Sequence, residues 1–331
     1  MSTDIVVCTV FDRRYLIKGL TLLRSLETKT PQSLRFVILC LDDDTYEALS
    51  RLKISSWHLI LLSDFEDVEV LALRSVREWR EFCWTLAAAL LNFVIQKSEN
   101  GQFVAYVDAD CYFFNDFTHI TNQLSPTVEI LIHEHRFSPD RVNWEKSSGR
   151  FNVGVIAGTV GEQFISCISR WREQVIEECT LDPLNGKCGD QTYLNDWPEK
   201  YSRLRIMTSK GAGVGPWNML NYQVELDSRR IKIDEDDLIF FHFSRFKIVH
   251  INGWHINYVS AEGYKVPAII EKLIYKEYAK GLISSARYAK SRNILYWSRE
   301  SLTFRKKASM FKRNIIKSTF HSLDQETRTA H

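Results

Sequence analysis

The chain has 331 residues, of which 45% are hydrophobic and 25% charged, the balance of an ordinary globular protein rather than a disordered or membrane-embedded one. A formal net charge of only +2 removes any whole-molecule argument for nucleic-acid binding. Seven cysteines, an odd number with no CxxC spacing, point to a reducing compartment rather than a disulfide framework or a zinc site.

In chain order, residues 5–10 form an apolar, β-branched run that predicts a buried strand. Residues 15–28 predict a helix, with Leu16, Leu20, Leu23 and Leu26 near helical spacing. A second strand follows at 35–41, a helix at 45–52 and a third strand at 57–62. Strands that alternate with helices imply a parallel, doubly wound sheet. A long helix is expected over 76–95, then a strand at 103–107 that runs into Asp108-Ala109-Asp110. Another strand is expected at 128–132. Residues 136–150 are polar and irregular, as in a mobile loop. Residues 151–158 are strand-like and punctuated by glycine. Phe164, Ile168, Trp171 and Val175 mark an amphipathic helix, and 238–244 a late strand.

Beyond about residue 262 the strands give way to helical, basic sequence. Glu300 is the only acid between Lys280 and Lys317. The predicted division is therefore a catalytic unit over 1–261 and a basic helical extension over 262–331. No basic leader followed by an apolar run is visible at the start, and no run is long enough to span a bilayer. A cytoplasmic protein is expected, at most attached to a membrane face.

The acidic pair carries the clearest chemistry. In open α/β sheets, ligands bind beyond the carboxyl ends of the strands. Side chains two apart on a strand point the same way. Asp108 and Asp110 can therefore converge on one hard cation that holds phosphates. Their alternative is a solvated loop. Three further islands follow in order: Phe151-Asn152-Val153-Gly154, Gly189-Asp190-Gln191, and His242-Phe243-Ser244-Arg245-Phe246-Lys247. Gly211 to Asn218 is a glycine-rich turn ending in Trp217-Asn218, which serves either as a plain loop or as a shelf on which an acceptor sugar stacks.

With these islands in this order, residues 4–250 resemble the nucleotide-sugar glycosyltransferases of the GT-A fold, and most closely glycosyltransferase family 8. The resemblance implies a Rossmann-like, mostly parallel mixed sheet flanked by helices. It also implies a UDP-sugar donor, a glycan or lipid-linked glycan acceptor, and retention of anomeric configuration. His242 would complete a metal triad with Asp108 and Asp110, a donor set that suits Mn²⁺, or Mg²⁺ less well. Asp190 and Gln191 would lie beside the anomeric carbon, with Asp190 equally able to cap a helix. Asn152 and Ala109 would contact the donor. Thr9, Phe11, Asp12 and Tyr15 would hold base and ribose, with Asp12 equally able to cap a helix. Arg80 would reach sugar or phosphate. Lys247 would contact the diphosphate. Arg245 stands where the family commonly has glycine, and offers an alternative phosphate contact.

Two other classes are open. A sugar-phosphate nucleotidyltransferase would carry a glycine-rich loop after the first strand, and residues 8–12 have none. A non-catalytic nucleotide-sugar-binding protein would have lost the acids or the late histidine. The basic stretch 280–317 either binds an anionic membrane surface or packs its apolar residues on the catalytic unit. On the membrane reading, a chain ending near Gly281 keeps its fold.

Overall fold

The structure is a computed structural model that describes residues 4–181, 189–296 and 316–320. The first half runs β1 (Ile5–Phe11), α1 (Leu16–Lys29), β2 (Leu34–Cys40), α2 (Asp43–Ser50), β3 (Trp57–Leu61), α3 (Val68–Ala72) and α4 (Trp79–Gln96). Then come β4 (Phe103–Val107), β5 (Cys111–Phe113), α5 (Thr118–Thr121), β6 (Ile130–Glu134), α6 (Glu145–Ser148), β7 (Phe151–Thr159) and α7 (Glu162–Glu177). The rest comprises α8 (Trp197–Lys200), β8 (Leu204–Ile206), β9 (Val224–Asp227), β10 (Arg230–Ile233), β11 (Asp236–Asp237) and β12 (Phe240–His242), followed by β13 (Lys247–Ile251), β14 (His255–Val259), α9 (Ala268–Ile270), α10 (Lys276–Ser291) and β15 (Lys317–Phe320).

The central sheet has the order β3-β2-β1-β4-β7-β6-β8. The pairings β3–β2, β2–β1, β1–β4 and β6–β8 are parallel, and β7 runs antiparallel to both of its neighbours. Successive side chains of a strand face opposite ways, and β1 shows it. Ile5, Val7 and Phe11 enter one core with α1 and α10, while Val6 and Cys8 enter the other with α4 and α7. The sheet is thus a mostly parallel layer between helices, as the alternation of elements predicts.

Local chemistry sets the helix starts. The Asp42 carboxylate accepts from Thr45 N at 2.7 Å, so α2 begins two residues earlier than its apolar pattern suggests. A capping box of Glu78 and Glu81 starts α4 at Trp79, three residues later than predicted. The late strand is shorter than predicted, because Phe243 turns away to donate its N–H to the Asp110 carbonyl at 2.8 Å.

Three expectations are corrected. Residues 136–150 are not irregular: Pro139–Trp144 form a 3₁₀ turn that continues into α6. Proline at the first position presets the helical φ and lacks the N–H that would go unpaired there. Strands do not end at residue 262, since β15 adds to β14 in a small antiparallel sheet with β13. Finally, α10 is not an appendage. Tyr278, Leu282, Ile283, Ala286 and Ala289 are buried in the α1 core, and Thr21 Oγ1 meets Ser285 Oγ at 2.9 Å. A cut at Gly281 would strip Leu282, Ile283, Ala286 and Ala289 from this face. Arg299, Arg305, Lys306, Lys307, Lys312 and Arg313 of the basic stretch lie outside the described residues.

Candidate active site

β4 ends at Val107 and the chain turns tightly into β5, with Cys111 N donating to Asp108 O at 2.9 Å. β5 then pairs antiparallel with β12, which sets His242 opposite Cys111. That pairing carries a residue 132 positions away to the acidic pair. His242 Nε2 lies 3.0 Å from Asp110 Oδ1 and 3.7 Å from Asp108 Oδ2. The three ligand atoms all fall within 4.8 Å of one another. Tyr106 donates its hydroxyl to Asp108 Oδ1 at 2.9 Å.

Electrostatics separates the two acids. Loss of solvent, reinforced by the charge of Asp110, holds the Asp108 carboxyl above the usual range. Burial also pushes Asp110 upward, but the charge and hydrogen bond of His242, with Lys18 nearby, outweigh it and leave Asp110 lowered. Burial opposes the charged form of His242, and the two carboxylates overcome that and raise it.

Asn152, on β7, organises the centre. Its Oδ1 accepts from Gly154 N at 2.9 Å and lies 3.1 Å from His242 Nδ1. Its Nδ2 lies 3.1 Å from His135 Nε2 and donates to Gln191 Oε1 at 3.3 Å. All four hydrogen-bonding positions of the amide are filled. Asn152 therefore holds the His242 ring, with Nε2 left facing the carboxylates. In this structure the donor contact expected of it would require breaking one of these bonds. Gly154 makes the pairing possible: a Cβ there would stand 2.6 Å from His242 Nδ1 and 2.7 Å from Asn152 Oδ1. His135, absent from the sequence-derived set, closes the chain, its Nδ1 lying 3.0 Å from the Gly149 carbonyl. Burial keeps it neutral, with its pKa lowered to about 3.

Asp190 joins this centre through its neighbour Gln191, which Asn152 holds. It is buried, and its carboxyl makes no capping hydrogen bond to the 3₁₀ turn Gln191–Asp196. Burial, aided by the charge of Asp108, raises it from the usual 3.8 to about 8, against the pull of the nearby N–H groups of Asp190 and Gln191. Trp171 Nε1 donates to the Asp190 carbonyl at 2.8 Å and fixes the backbone.

The remaining expected residues divide. Thr9 is fully buried, with no partner for its hydroxyl among the described residues. Phe11 is core: a Cβ on Gly19 would lie 2.5 Å from its ring. Neither presents a face to a base. Asp12 caps the next turn, accepting from Arg14 N at 2.9 Å and Tyr15 N at 3.3 Å. Tyr15 is 40% exposed, with the Lys18 ammonium over its ring. Ala109 is buried between the acids, and Arg80 is exposed on α4. Lys247 pairs with Glu262 at 2.5 Å, and Arg245 is exposed. The acceptor shelf is not formed by Trp217 and Asn218. Trp217 is buried edge-on against His242, with ring centroids 5.3 Å apart. Both ends of the Asn218 amide are used inside its own loop and on His135 O.

The sequence reading also missed Lys18. It sits on a helix buried nearly all round, where the leucine spacing alone suggests a solvated face. Its Nζ donates to Phe246 O at 2.9 Å and lies 4.3 Å from the Tyr15 ring centroid. It thereby ties α1 to the loop that follows His242.

No protein-family model matches the chain. The uncharacterized protein YfnD of Bacillus subtilis (strain 168) is 32% identical over 243 residues, 73% of this chain and 78% of YfnD. The uncharacterized protein YfnF of the same organism is 30% identical over 252 residues, 74% of this chain and 82% of YfnF. Among solved structures, the galactosyltransferase LgtC in complex with donor and acceptor sugar analogues has a TM-score of 0.50 at 12% identity, over 72% of this chain and 86% of LgtC. At that identity the likeness is one of fold. The chain belongs to the same family as YfnD and YfnF, and its fold is the GT-A fold of nucleotide-sugar glycosyltransferases.

Proposed function

We propose that this protein transfers a sugar from a UDP-sugar to a glycan or lipid-linked glycan, with retention at the anomeric carbon. The observation that carries this reading is the convergence of Asp108, Asp110 and His242 at the end of β4, with Gln191 tied to the same centre through Asn152. Two carboxylates and one imidazole fit Mn²⁺, and Asn152 already holds the imidazole in the ligating orientation. When bound there, a divalent cation would offset the charge that develops on the departing diphosphate.

The chain's own groups supply the rest. Tyr106 and His242 fix the two carboxylates. The buried Asp190 and the Asn152-anchored Gln191 line the face where the sugar would sit, and Asp190, once deprotonated, would offset positive charge at its anomeric carbon. The bond from that carbon to the diphosphate oxygen breaks as the acceptor oxygen bonds to it. The acceptor proton passes to the departing phosphate oxygen. Tyr15 stacks on the base, and Lys247 reaches the diphosphate.

Release of sugar and UDP from UDP-sugars, with Mn²⁺ and with chelator, tests the reading. Turnover that needs the metal and vanishes in Asp108→Ala supports it. Equal turnover in chelator with both alanines in place rejects it.

The acceptor side of the proposal includes a membrane. No helix of the described residues is long and apolar enough to cross one. Lys290 and Arg292 are exposed at the end of α10, and Leu295 just beyond is 92% exposed. A cytoplasmic enzyme working on a lipid-linked acceptor would rest this basic end on anionic lipid. Cosedimentation with phosphatidylglycerol vesicles at low salt, absent with phosphatidylcholine, is the expected result.

A further inference from the structure

Trp217 is buried, and one partly exposed aromatic cluster is joined to the metal ligands by short links through the chain. Trp144 and Tyr264 meet edge to face at 6.0 Å. The Arg141 guanidinium lies 4.0 Å from the Tyr264 ring centroid and 4.6 Å from that of Trp144. Arg245 lies 5.7 and 5.8 Å from the same two rings.

Two routes fasten this cluster to the metal ligands. On one, Arg245 follows His242 by three residues, and its carbonyl accepts from Glu262 N at 3.1 Å. The turn reaching Tyr264 is held in turn by Arg141 Nη2, which donates to Gly263 O at 3.3 Å. On the other, Ser138 N donates to Trp217 O at 2.9 Å, and the Trp217 ring abuts His242.

Two features mark Arg245 as more than a loop residue. Its φ is +62°, a left-handed conformation that costs a non-glycine residue about 1 kcal/mol. Its guanidinium has no carboxylate partner among the described residues. Arg141 has only Asp140, at 3.5 Å, and Asp140 is itself bonded by Ser138 Oγ at 2.6 Å. The cluster thus carries two positive charges against one negative. A guanidinium stacked on a ring keeps its in-plane N–H donors free for a carboxylate or phosphate.

We propose that Arg141, Trp144, Arg245 and Tyr264 form the acceptor subsite, and that the acceptor is an anionic glycan whose sugar packs on the aromatic pair while its phosphate or carboxylate meets the arginines. This rests on the glycosyltransferase reading and specifies its acceptor class. Phosphate and carboxylate share the required chemistry, so both are tested.

The experiment uses the full chain with saturating UDP and Mn²⁺. Calorimetry measures binding of glucose 6-phosphate, methyl glucuronide and methyl glucoside, and the melting shift given by UDP and Mn²⁺ is recorded for every variant. Both anionic sugars, or one of them, should bind at least tenfold more tightly than the neutral one, and the better of the two names the anion. Arg141→Gln should erase that preference and Arg141→Lys retain part of it, while Tyr264→Leu weakens all three sugars. The UDP shift should stay that of the unaltered protein in each. Equal binding of neutral and anionic sugars, or a preference that survives Arg141→Gln, overturns the subsite. Absence of any UDP shift in the unaltered protein instead defeats the glycosyltransferase reading, and the two failures are distinguishable.

Discussion

Around Asn152 each hydrogen-bonding position of the amide has a protein partner. Around Arg141 and Arg245, two guanidiniums lie over half-buried rings, Arg245 exposed and Arg141 largely covered, and one backbone is held in a strained turn. The two clusters meet at His242 but are built for different tasks. The first is rigid before anything binds, as a site that must stabilise charge at a fixed point requires. The second keeps a surplus of positive charge beside its aromatic pair, as the proposed subsite for an anionic acceptor requires. Substitutions should therefore act on chemistry in the first cluster and on partner choice in the second.

The largest effect is expected at the acids. Asp108→Ala or Asp110→Ala should reduce donor turnover by about 10²-fold or more, the scale of losing one key electrostatic stabiliser. Turnover within a few-fold of the original would show that the rigid cluster is structural only. Next, Asn152→Ala frees the His242 ring, and Mn²⁺ affinity should fall about 10- to 100-fold, the usual cost of losing a group that orients a ligand. Paramagnetic resonance of free Mn²⁺ reads this without any substrate. An unchanged affinity would mean that β12 alone sets the ring.

Asp190 gives a prediction in pH. Its folded-state value of about 8 lies above the usual 3.8 of an unfolded carboxyl. Between those values the native state binds more protons than the unfolded one, so stability from this group is complete below about pH 4 and is lost as pH rises towards 8. The slope is at most about 1.4 kcal/mol per pH unit. Asp190→Asn should therefore melt higher than the unaltered protein at pH 8 in chelator, with the gap narrowing at pH 5 and closing near pH 4, while kcat falls more than donor KM changes. A variant that melts lower at every pH would show that the carboxylate is needed by the fold.

The smallest effect sharpens the contrast from the other side. Arg245→Gly relieves the left-handed strain, worth about 1 kcal/mol, and should raise the melting temperature by about 2 °C. A fall in melting temperature would show that its stacking on Trp144 and Tyr264 outweighs the strain.

The legible parts of the sequence were those where one local rule dominates. The alternating strands and helices of residues 5–107 follow periodicity, and the acidic pair sits at a strand end where open sheets bind ligands. The role of Asn152 was not legible, because it depends on a histidine 90 residues later and on the missing side chain of Gly154. For Trp217 the glycine-rich turn left a plain loop and a stacking shelf both open, whereas its ring fills the space beside His242. Lys18 was hidden by the assumption that a leucine stripe leaves the opposite face wet. Here α10 covers that face, and only the small residues Gly19, Thr21 and Ser25 hint that α1 is packed on both sides.

That covering has a consequence for how the chain reaches its native state. Thr21 meets Ser285 across 264 residues, and Lys18 meets Phe246 across 228. As the polypeptide emerges from the ribosome, α1 can settle on β1 and β2 early, but its second apolar side waits for nearly the whole sequence to be made. Such distant closures slow folding and leave greasy surface open to other chains meanwhile. Refolding from denaturant should show an early phase in which the parallel strands gain protection from hydrogen exchange. A later phase should then protect α10 and the His242 loop together, with yield falling as protein concentration rises.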